Sequence, residues 1–210
     1  MMRLNVLSRY YPKCFDSDEC KKIIDIAKTQ DDLLEAGTAE PTPEGLQVIF
    51  DTNKRDCKTT FLLPSDDVKW IYERVQAIIL DCNKKAGWDW HISQIEPIQF
   101  SQYDVGDHYN WHVDGESDHS GKNEDGLVRK ISCTINLSDP DEDYDDGDLE
   151  FAFPCHPGEY PLENQIIRDP RCRSKGIGIV FPSFRSHRVT PVTRGVRYSL
   201  VAWALGNPFT

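Results

Sequence analysis

Arg129-Lys130-Ile131-Ser132-Cys133-Thr134-Ile135-Asn136-Leu137-Ser138 decides the fold. Ile131, Cys133, Ile135 and Leu137 alternate with Ser132, Thr134 and Asn136, so an extended chain here has one apolar and one polar face. A strand whose second face carries only small hydroxyls and an amide suits a barrel that turns polar side chains inward around a ligand. Working outward, the same period of two recurs over residues 91–103, 148–153, 176–181, 185–191 and 196–205. Many strands with short turns, and helices left to pack outside, predict a mainly β (α+β) fold built as a double-sheet barrel or jelly roll.

The pattern changes character once, near residue 88. Before it, Cys20, Ile23, Ile24 and Ala27 share one helical face behind a cap at Asp16 or Ser17, with Glu19 early and Lys28 late. A second helix is expected after Pro64, capped by Ser65, striped by Val68, Ile71, Tyr72, Val75, Ile78, Ile79 and Cys82, and ended by Gly87. Residues 47–51 and 59–63 read as short strands. The expected organisation is a single domain over 1–210, with 1–88 a helical and mixed support region and 89–210 the jelly-roll core. Residues 115–126 and 154–173 read as long loops, of the kind that serve as lids at a barrel mouth.

The 210 residues carry a formal net charge of -11, and basic residues cluster only in pairs such as Lys21-Lys22, Lys84-Lys85 and Arg129-Lys130. A duplex-binding protein presents a basic face, so nucleic acid is not the expected partner. The seven cysteines are odd in number and contain no CxxC pair, which argues against a disulfide framework or a zinc ribbon. No secretory h-region and no long apolar run is present, so the expectation is a reduced cytoplasmic protein with free thiols and no membrane span.

The chemistry starts at His112-Val113-Asp114. In an extended chain, residues two apart point to one side, so an imidazole and a carboxylate converge. His187 lies at the start of a late strand. Two histidines and one carboxylate on one face of a metal leave the opposite face open, the arrangement of non-heme iron(II) oxygenases. Alone, the motif is weak; a surface histidine beside a loop aspartate reads the same way. Arg197 strengthens it. Thr193-Arg194-Gly195 reads as the turn of a hairpin that brings His187 and Arg197 to one cavity, where a guanidinium could grip a dicarboxylate whose other end chelates the metal. Ser199 has the parity of Arg197 and offers a hydroxyl, and Tyr103 could donate to the same carboxylate. The plain alternatives are an arginine paired with a surface aspartate and a core tyrosine.

Taken together, Tyr103-Asp104-Val105-Gly106-Asp107-His108-Tyr109-Asn110-Trp111-His112-Val113-Asp114, then Asp146-Gly147-Asp148-Leu149-Glu150-Phe151, then Phe181-Pro182-Ser183-Phe184-Arg185-Ser186-His187-Arg188-Val189-Thr190-Pro191-Val192 with Arg197, resemble the prolyl 4-hydroxylase-like branch of the 2-oxoglutarate/iron(II) dioxygenases. The bacterial PKHD-type hydroxylases are the nearest sub-group. The resemblance covers roughly residues 95–205, about half the chain, and departs from the pattern at Asp146, where glycine is usual.

The resemblance implies a double-stranded β-helix and an iron site of His112, Asp114 and His187. It also implies Arg197 as partner of the distal 2-oxoglutarate carboxylate with Tyr103 assisting. Ser199 and Thr134 are further candidates to line the co-substrate pocket. Fe(II), 2-oxoglutarate and molecular oxygen are the implied cofactors, with ascorbate as a stimulant. The presence of Asp114 points to hydroxylation rather than halogenation, and Arg197 stands where the animal prolyl hydroxylases use lysine. Peptidyl proline is the default substrate; other amino-acid side chains, a free amino acid or a small metabolite stay open. Asn110, Trp111, Asn136 and Trp203 are candidates to support the ligands, whereas His91, His108, His119 and His156 are expected to be non-ligands. The acidic run from Asp139 to Asp148 reads as a solvated turn, or as a steering patch for a basic substrate. Two rival functions remain: a zinc-dependent enzyme on the same ligands, and a non-catalytic cupin-like binding module.

Overall fold

A computed structural model describes residues 6–30, 33–42, 45–115, 122–152 and 161–209. In chain order the elements are β1 (Arg9–Tyr11), α1 (Ser17–Lys28), β2 (Leu34–Glu35), β3 (Thr38–Thr42), β4 (Gly45–Ile49), β5 (Arg55–Asp56), β6 (Lys58–Leu62), α2 (Lys69–Lys85), β7 (Gln94–Ile95), β8 (Ile98–Tyr103), β9 (His108–His112), β10 (Val128–Asn136), β11 (Tyr144–Asp146), β12 (Leu149–Ala152), β13 (Ile166–Arg168), β14 (Gly178–Pro182), β15 (His187–Val189), β16 (Val192–Gly195) and β17 (Arg197–Gly206). A large antiparallel sheet runs β1-β14-β10-β17-β8-β6-β2, with β7 paired to the far end of β17. A smaller sheet runs β13-β12-β15-β9-β5, and β11-β16 and β3-β4 form two-stranded pieces.

The two larger sheets face each other. Phe151 of the small sheet meets Phe181 of the large one edge-on, at 5.0 Å between ring centroids. The Ser132 hydroxyl, on the polar face of β10, lies 3.0 Å from the Ser183 hydroxyl. The opposite face of β10 meets the helices. Ile131, Cys133 and Ile135 join Val180, Leu200, Ala202 and Ala204 in one buried cluster with Cys20, Ile23 and Ala27 of α1 and Ile71, Val75, Ile79 and Cys82 of α2. A jelly roll with helices outside is therefore the observed architecture. The six described cysteines are buried and free.

Helix α1 starts as the sequence indicates. The Asp16 carboxylate accepts the Glu19 N–H at 2.8 Å and Glu19 accepts the Asp16 N–H at 2.9 Å, a reciprocal capping box. Helix α2 starts later than expected. Ser65 does not cap it; its carbonyl accepts the Val68 N–H and closes a turn, so the helix begins at Lys69 behind Val68, which makes no side-chain cap. The strand expected over 91–103 is split into β7 and β8, because Pro97 has no N–H to give the ladder. Residues 47–51 fall in and just beyond β4, which pairs with β3 rather than with either large sheet.

The expected hairpin between His187 and Arg197 is not one. β15 belongs to the small sheet and β17 to the large sheet, and Thr193-Arg194-Gly195 is part of β16, which pairs with β11. The chain crosses from one sheet to the other, and both residues still face the interior because both sheets do. Of the two expected lids, residues 116–121 and 153–160 lie outside the described residues, with His119, Cys155 and His156 among them. The rest of 154–173 contains β13, so it is not wholly irregular.

Candidate metal centre

His112 closes β9 and His187 opens β15, and the two are direct partners in the small sheet. Their ring centroids lie 4.1 Å apart. Asp114 follows in a turn pinned to the other sheet, where its N–H and that of Gly115 both donate to the Ser183 carbonyl at 2.9 and 3.1 Å. Gly115 is needed there: a Cβ would come within 2.9 Å of the Arg129 carbonyl oxygen. The result places Asp114 Oδ1 3.7 Å from His112 Nε2 and Oδ2 3.6 Å from His187 Nε2. One ligand atom from each residue lies within 4.8 Å of the others, the group of this kind found among the described residues.

Backbone contacts set which ring nitrogens are free. His112 Nδ1 donates to the Asn110 carbonyl at 2.8 Å and His187 Nδ1 to the Arg185 carbonyl at 2.9 Å. A carbonyl only accepts, so each Nδ1 carries the proton and each Nε2 presents a lone pair toward Asp114. Burial, followed by the facing His112, pushes His187 down to about 4, which keeps it neutral near pH 7. Burial alone would raise the Asp114 carboxyl, but as pH falls the charge taken up by His187 and His112, and then that of Arg129, outweighs burial and holds it below the usual carboxylate range. Asp114 Oδ2 is buried with no hydrogen-bond partner among the described residues. A buried, ionised carboxylate with one unpartnered oxygen beside two imidazole lone pairs fits a divalent cation, and the three donors on one side leave the other side for further ligands.

Tyr109, which sequence parity missed, stacks flat on His112 with centroids 3.5 Å apart and planes 9° apart. Three residues apart, they should alternate faces. The β9–β15 register shifts between the His187–His112 and Val189–Tyr109 pairs, and this bulge inserts the extra residue that returns both to one face. The Arg55 guanidinium lies 4.6 Å from the Tyr109 ring. Burial pushes the Tyr109 phenol up to about 12, so it stays a hydrogen-bond donor. Arg129 is a further residue that no motif marks. It pairs with Glu96 at 2.6 Å, lies 3.8 Å from the Trp203 ring, and donates to the Asp114 carbonyl at 3.4 Å.

Arg197 is 3% exposed and faces the same interior from β17. Its cross-strand partner is Tyr103, whose ring lies 5.4 Å from the guanidinium. Its Nη1 donates to the Ser199 hydroxyl at 3.4 Å. No carboxylate pairs with it among the described residues. Burial raises the Tyr103 phenol far above its ordinary value, so it too remains protonated. Thr134, on the inner face of β10, is buried.

The supporting candidates fall out differently. Asn110 helps orient His112 through its carbonyl, while its side chain donates to the Asn53 carbonyl at 2.6 Å. Trp111 lies outside, under Arg188 at 4.9 Å. Asn136 ties Ser138, Tyr144 and Arg173 together, and Trp203 carries Arg129. His91 and His108 contact Ser93 and Gly106 and take no part in the cluster. The acidic run is paired only in part: Asp145 pairs with Arg194, Asp143 with Lys175, and Asp148 with Arg173.

No helix among the described residues is long and apolar enough to cross a membrane. Residues 98–205 match the profile of the 2OG-Fe(II) oxygenase superfamily. A PKHD-type hydroxylase of Janthinobacterium sp. (strain Marseille) is 35% identical over 109 residues, 51% of this chain and 42% of that protein. One from Xylella fastidiosa (strain M12) is 35% identical over 114 residues, 51% and 43% of the two chains. The match thus spans less than half the length of these curated relatives. Among solved structures, a Pseudomonas putida prolyl-4-hydroxylase superposes with a TM-score of 0.68 at 16% identity, covering 95% of this chain and 93% of that one. The 2OG complex of a viral collagen prolyl hydroxylase from Paramecium Bursaria Chlorella virus-1 gives 0.65 at 16% identity, covering 96% and 97%. The structural neighbours share the fold, and the sequence match, which spans every residue of the metal cluster and Arg197, places this chain in the 2OG-Fe(II) oxygenase superfamily.

Proposed function

We propose that the chain is an iron(II)- and 2-oxoglutarate-dependent hydroxylase acting on an unactivated C–H bond, in a peptidyl proline or another amino-acid side chain. The family implies iron(II), 2-oxoglutarate and oxygen. The observation that carries the reading is the pairing of two incomplete sites in one interior: an Asp114 carboxylate whose Oδ2 has no hydrogen-bond partner, between two imidazole lone pairs, and a buried Arg197 without a counter-ion, both among the described residues. The bound iron with its co-substrate would supply the oxidising power for C–H hydroxylation, with succinate and carbon dioxide released. His112, Asp114 and His187 hold the metal on one side. Arg197 fixes the far carboxylate of the co-substrate, and the protonated Tyr103 and the Ser199 hydroxyl are placed to donate beside it. Tyr109 packs the ring of His112 and Arg129 fixes the backbone of Asp114, which keeps the ligands from swinging. A peptide substrate is supported by analogy with a Trichoplax adhaerens prolyl hydroxylase solved with a hypoxia inducible factor peptide fragment. The acidic surface of this chain favours a neutral or basic partner overall.

The test is an anaerobic visible spectrum. Iron(II) followed by 2-oxoglutarate should give a weak charge-transfer band that requires both additions and is absent from His112→Ala and Arg197→Ala proteins of intact fold. Zinc binding without such a band would sink the reading in favour of a zinc enzyme.

A further inference from the structure

Three buried cations, Lys130, Arg185 and Arg197, lack a carboxylate partner among the described residues. Lys130 lies 3.4 Å from the Phe209 ring. Arg197 belongs to the pocket already described. The half-buried Arg55 is satisfied by the Cys57 sulfur at 3.2 Å and the ring of Tyr109. Arg185 remains, and its position is the informative one.

Arg185 sits in the turn between β14 and β15, two residues before His187. Its carbonyl holds the His187 ring through Nδ1. Its side chain is 8% exposed and lies 3.9 Å over the ring of Phe151. Phe151 and Phe181 form an aromatic slab against His187, at 6.1 and 4.8 Å. Among the described residues the guanidinium makes one hydrogen bond, from Nη1 to the Leu7 carbonyl at 3.0 Å. Its Nε is buried with no partner there, and Nη2 makes no bond. The Nε–Nη2 edge is the one that grips a carboxylate through two parallel hydrogen bonds. Burying Nε and leaving it unpaired costs free energy. The Leu7 clasp and the stacking on Phe151 use Nη1 and the guanidinium face, and neither uses the Nε–Nη2 edge.

We propose that the Nε–Nη2 edge of Arg185 is a second carboxylate site, distinct from Arg197, which docks an anionic group of the substrate beside the distal histidine. The inference rests on the hydroxylase reading and narrows it: the substrate carries a carboxylate, as an acidic side chain near the hydroxylated residue or as a free α-carboxylate. Phe151 lies under the guanidinium and 6.1 Å from the His187 ring, so the anion docks next to the metal centre while Arg185, not the metal, holds it.

The experiment follows the arginine Nε–H resonances by NMR in the full chain loaded with zinc(II) and 2-oxoglutarate, with Arg185 and Arg197 assigned from Arg185→Lys and Arg197→Lys proteins. The probes are N-acetylglycinate, its uncharged isostere N-acetylglycinamide, and inorganic phosphate. The expected result is a saturable shift of the Arg185 resonance with N-acetylglycinate, none with the amide, and none in Arg185→Lys. No shift with N-acetylglycinate, or an equal shift with the amide, overturns the proposal; a response to phosphate alone overturns the carboxylate assignment. The Arg197 resonance is an independent control. If it ignores 2-oxoglutarate, the hydroxylase reading fails, while the Arg185 result is still read on its own.

Discussion

At the scale of single residues, the site was legible where chemistry forces a residue type and illegible where geometry intervenes. His112, Asp114, His187 and Arg197 stand out only in combination, because a carboxylate two residues from a histidine is common alone and an inward arginine at the right distance narrows its use. Tyr109 and Arg129 did not. A bulge breaks the parity that would expose Tyr109, and Arg129 reads as half of a surface basic pair with Lys130. Two predictions belong here. Arg197→Gln should raise the KM for 2-oxoglutarate by about 10- to 100-fold, because a charged hydrogen-bonding partner contributes roughly 1.5–3 kcal/mol. Ser199→Ala should cost less than tenfold, and steady-state succinate release measures both. The second concerns pH. His187 is held at about 4 in the folded protein against 6.5 for the free side chain. Below 6.5 the unfolded chain takes up a proton that the native one refuses, so this group makes stability rise with pH from about 4 to 6.5 and flatten above. Metal-free protein should therefore lose roughly 3 kcal/mol between pH 6.5 and 4 from this histidine. Chemical denaturation at stepped pH, with His187→Gln as control, should show a smaller loss in the variant; equal losses in both would remove the assignment.

At the scale of elements, β10, β12, β14 and β17 came within two residues of their expected ends, β10 and β17 on long alternation and β12 and β14 on short apolar stretches. What failed was pairing. The spacing of His187 and Arg197 fits a hairpin as well as a crossover, and the difference lies in β11, a short strand within an acidic run that gives no periodic signal. β16 is what carries the chain across, and Gly195 is its hinge. Gly195 adopts φ of 72°, and a Cβ there would overlap the Asp143 carbonyl oxygen. Both the left-handed backbone and the contact oppose any side chain. Gly195→Ala should destabilise the protein by about 2 kcal/mol or more. It should also weaken 2-oxoglutarate binding, because Arg197 begins two residues later. A thermal melt and a co-substrate titration check the two effects, and an unchanged titration would show that the hinge does not set the position of Arg197.

At the scale of the whole molecule, β10 divides labour between its faces. Ile131, Cys133 and Ile135 lock onto α1 and α2, whereas Ser132, Thr134 and Asn136 face the interior that holds the metal donors. The division was visible in ten residues of sequence, but the contribution of the first 88 residues was visible only in part. The strand expected over 59–63 is β6 of the large sheet, whereas β1 and β2 of that sheet and β5 of the small one are too short for any periodicity to register. A layered molecule of this kind predicts separable effects. Ile79 is fully buried between α2 and the large sheet, on the side away from the donors. Ile79→Ala should lower stability by about 2–5 kcal/mol through the lost transfer energy and the cavity left behind. At temperatures well below its melting point, the variant should still give the iron and 2-oxoglutarate band at wild-type concentrations of both. Phe181→Ala, on the opposite face of the same sheet and 4.8 Å from the His187 ring, should lose comparable stability and weaken metal binding as well, because it removes one wall that holds the histidine. If Ile79→Ala weakened the band as much as Phe181→Ala, the helical layer would be shaping the metal centre through the sheet, and the two faces of β10 could not be treated as independent.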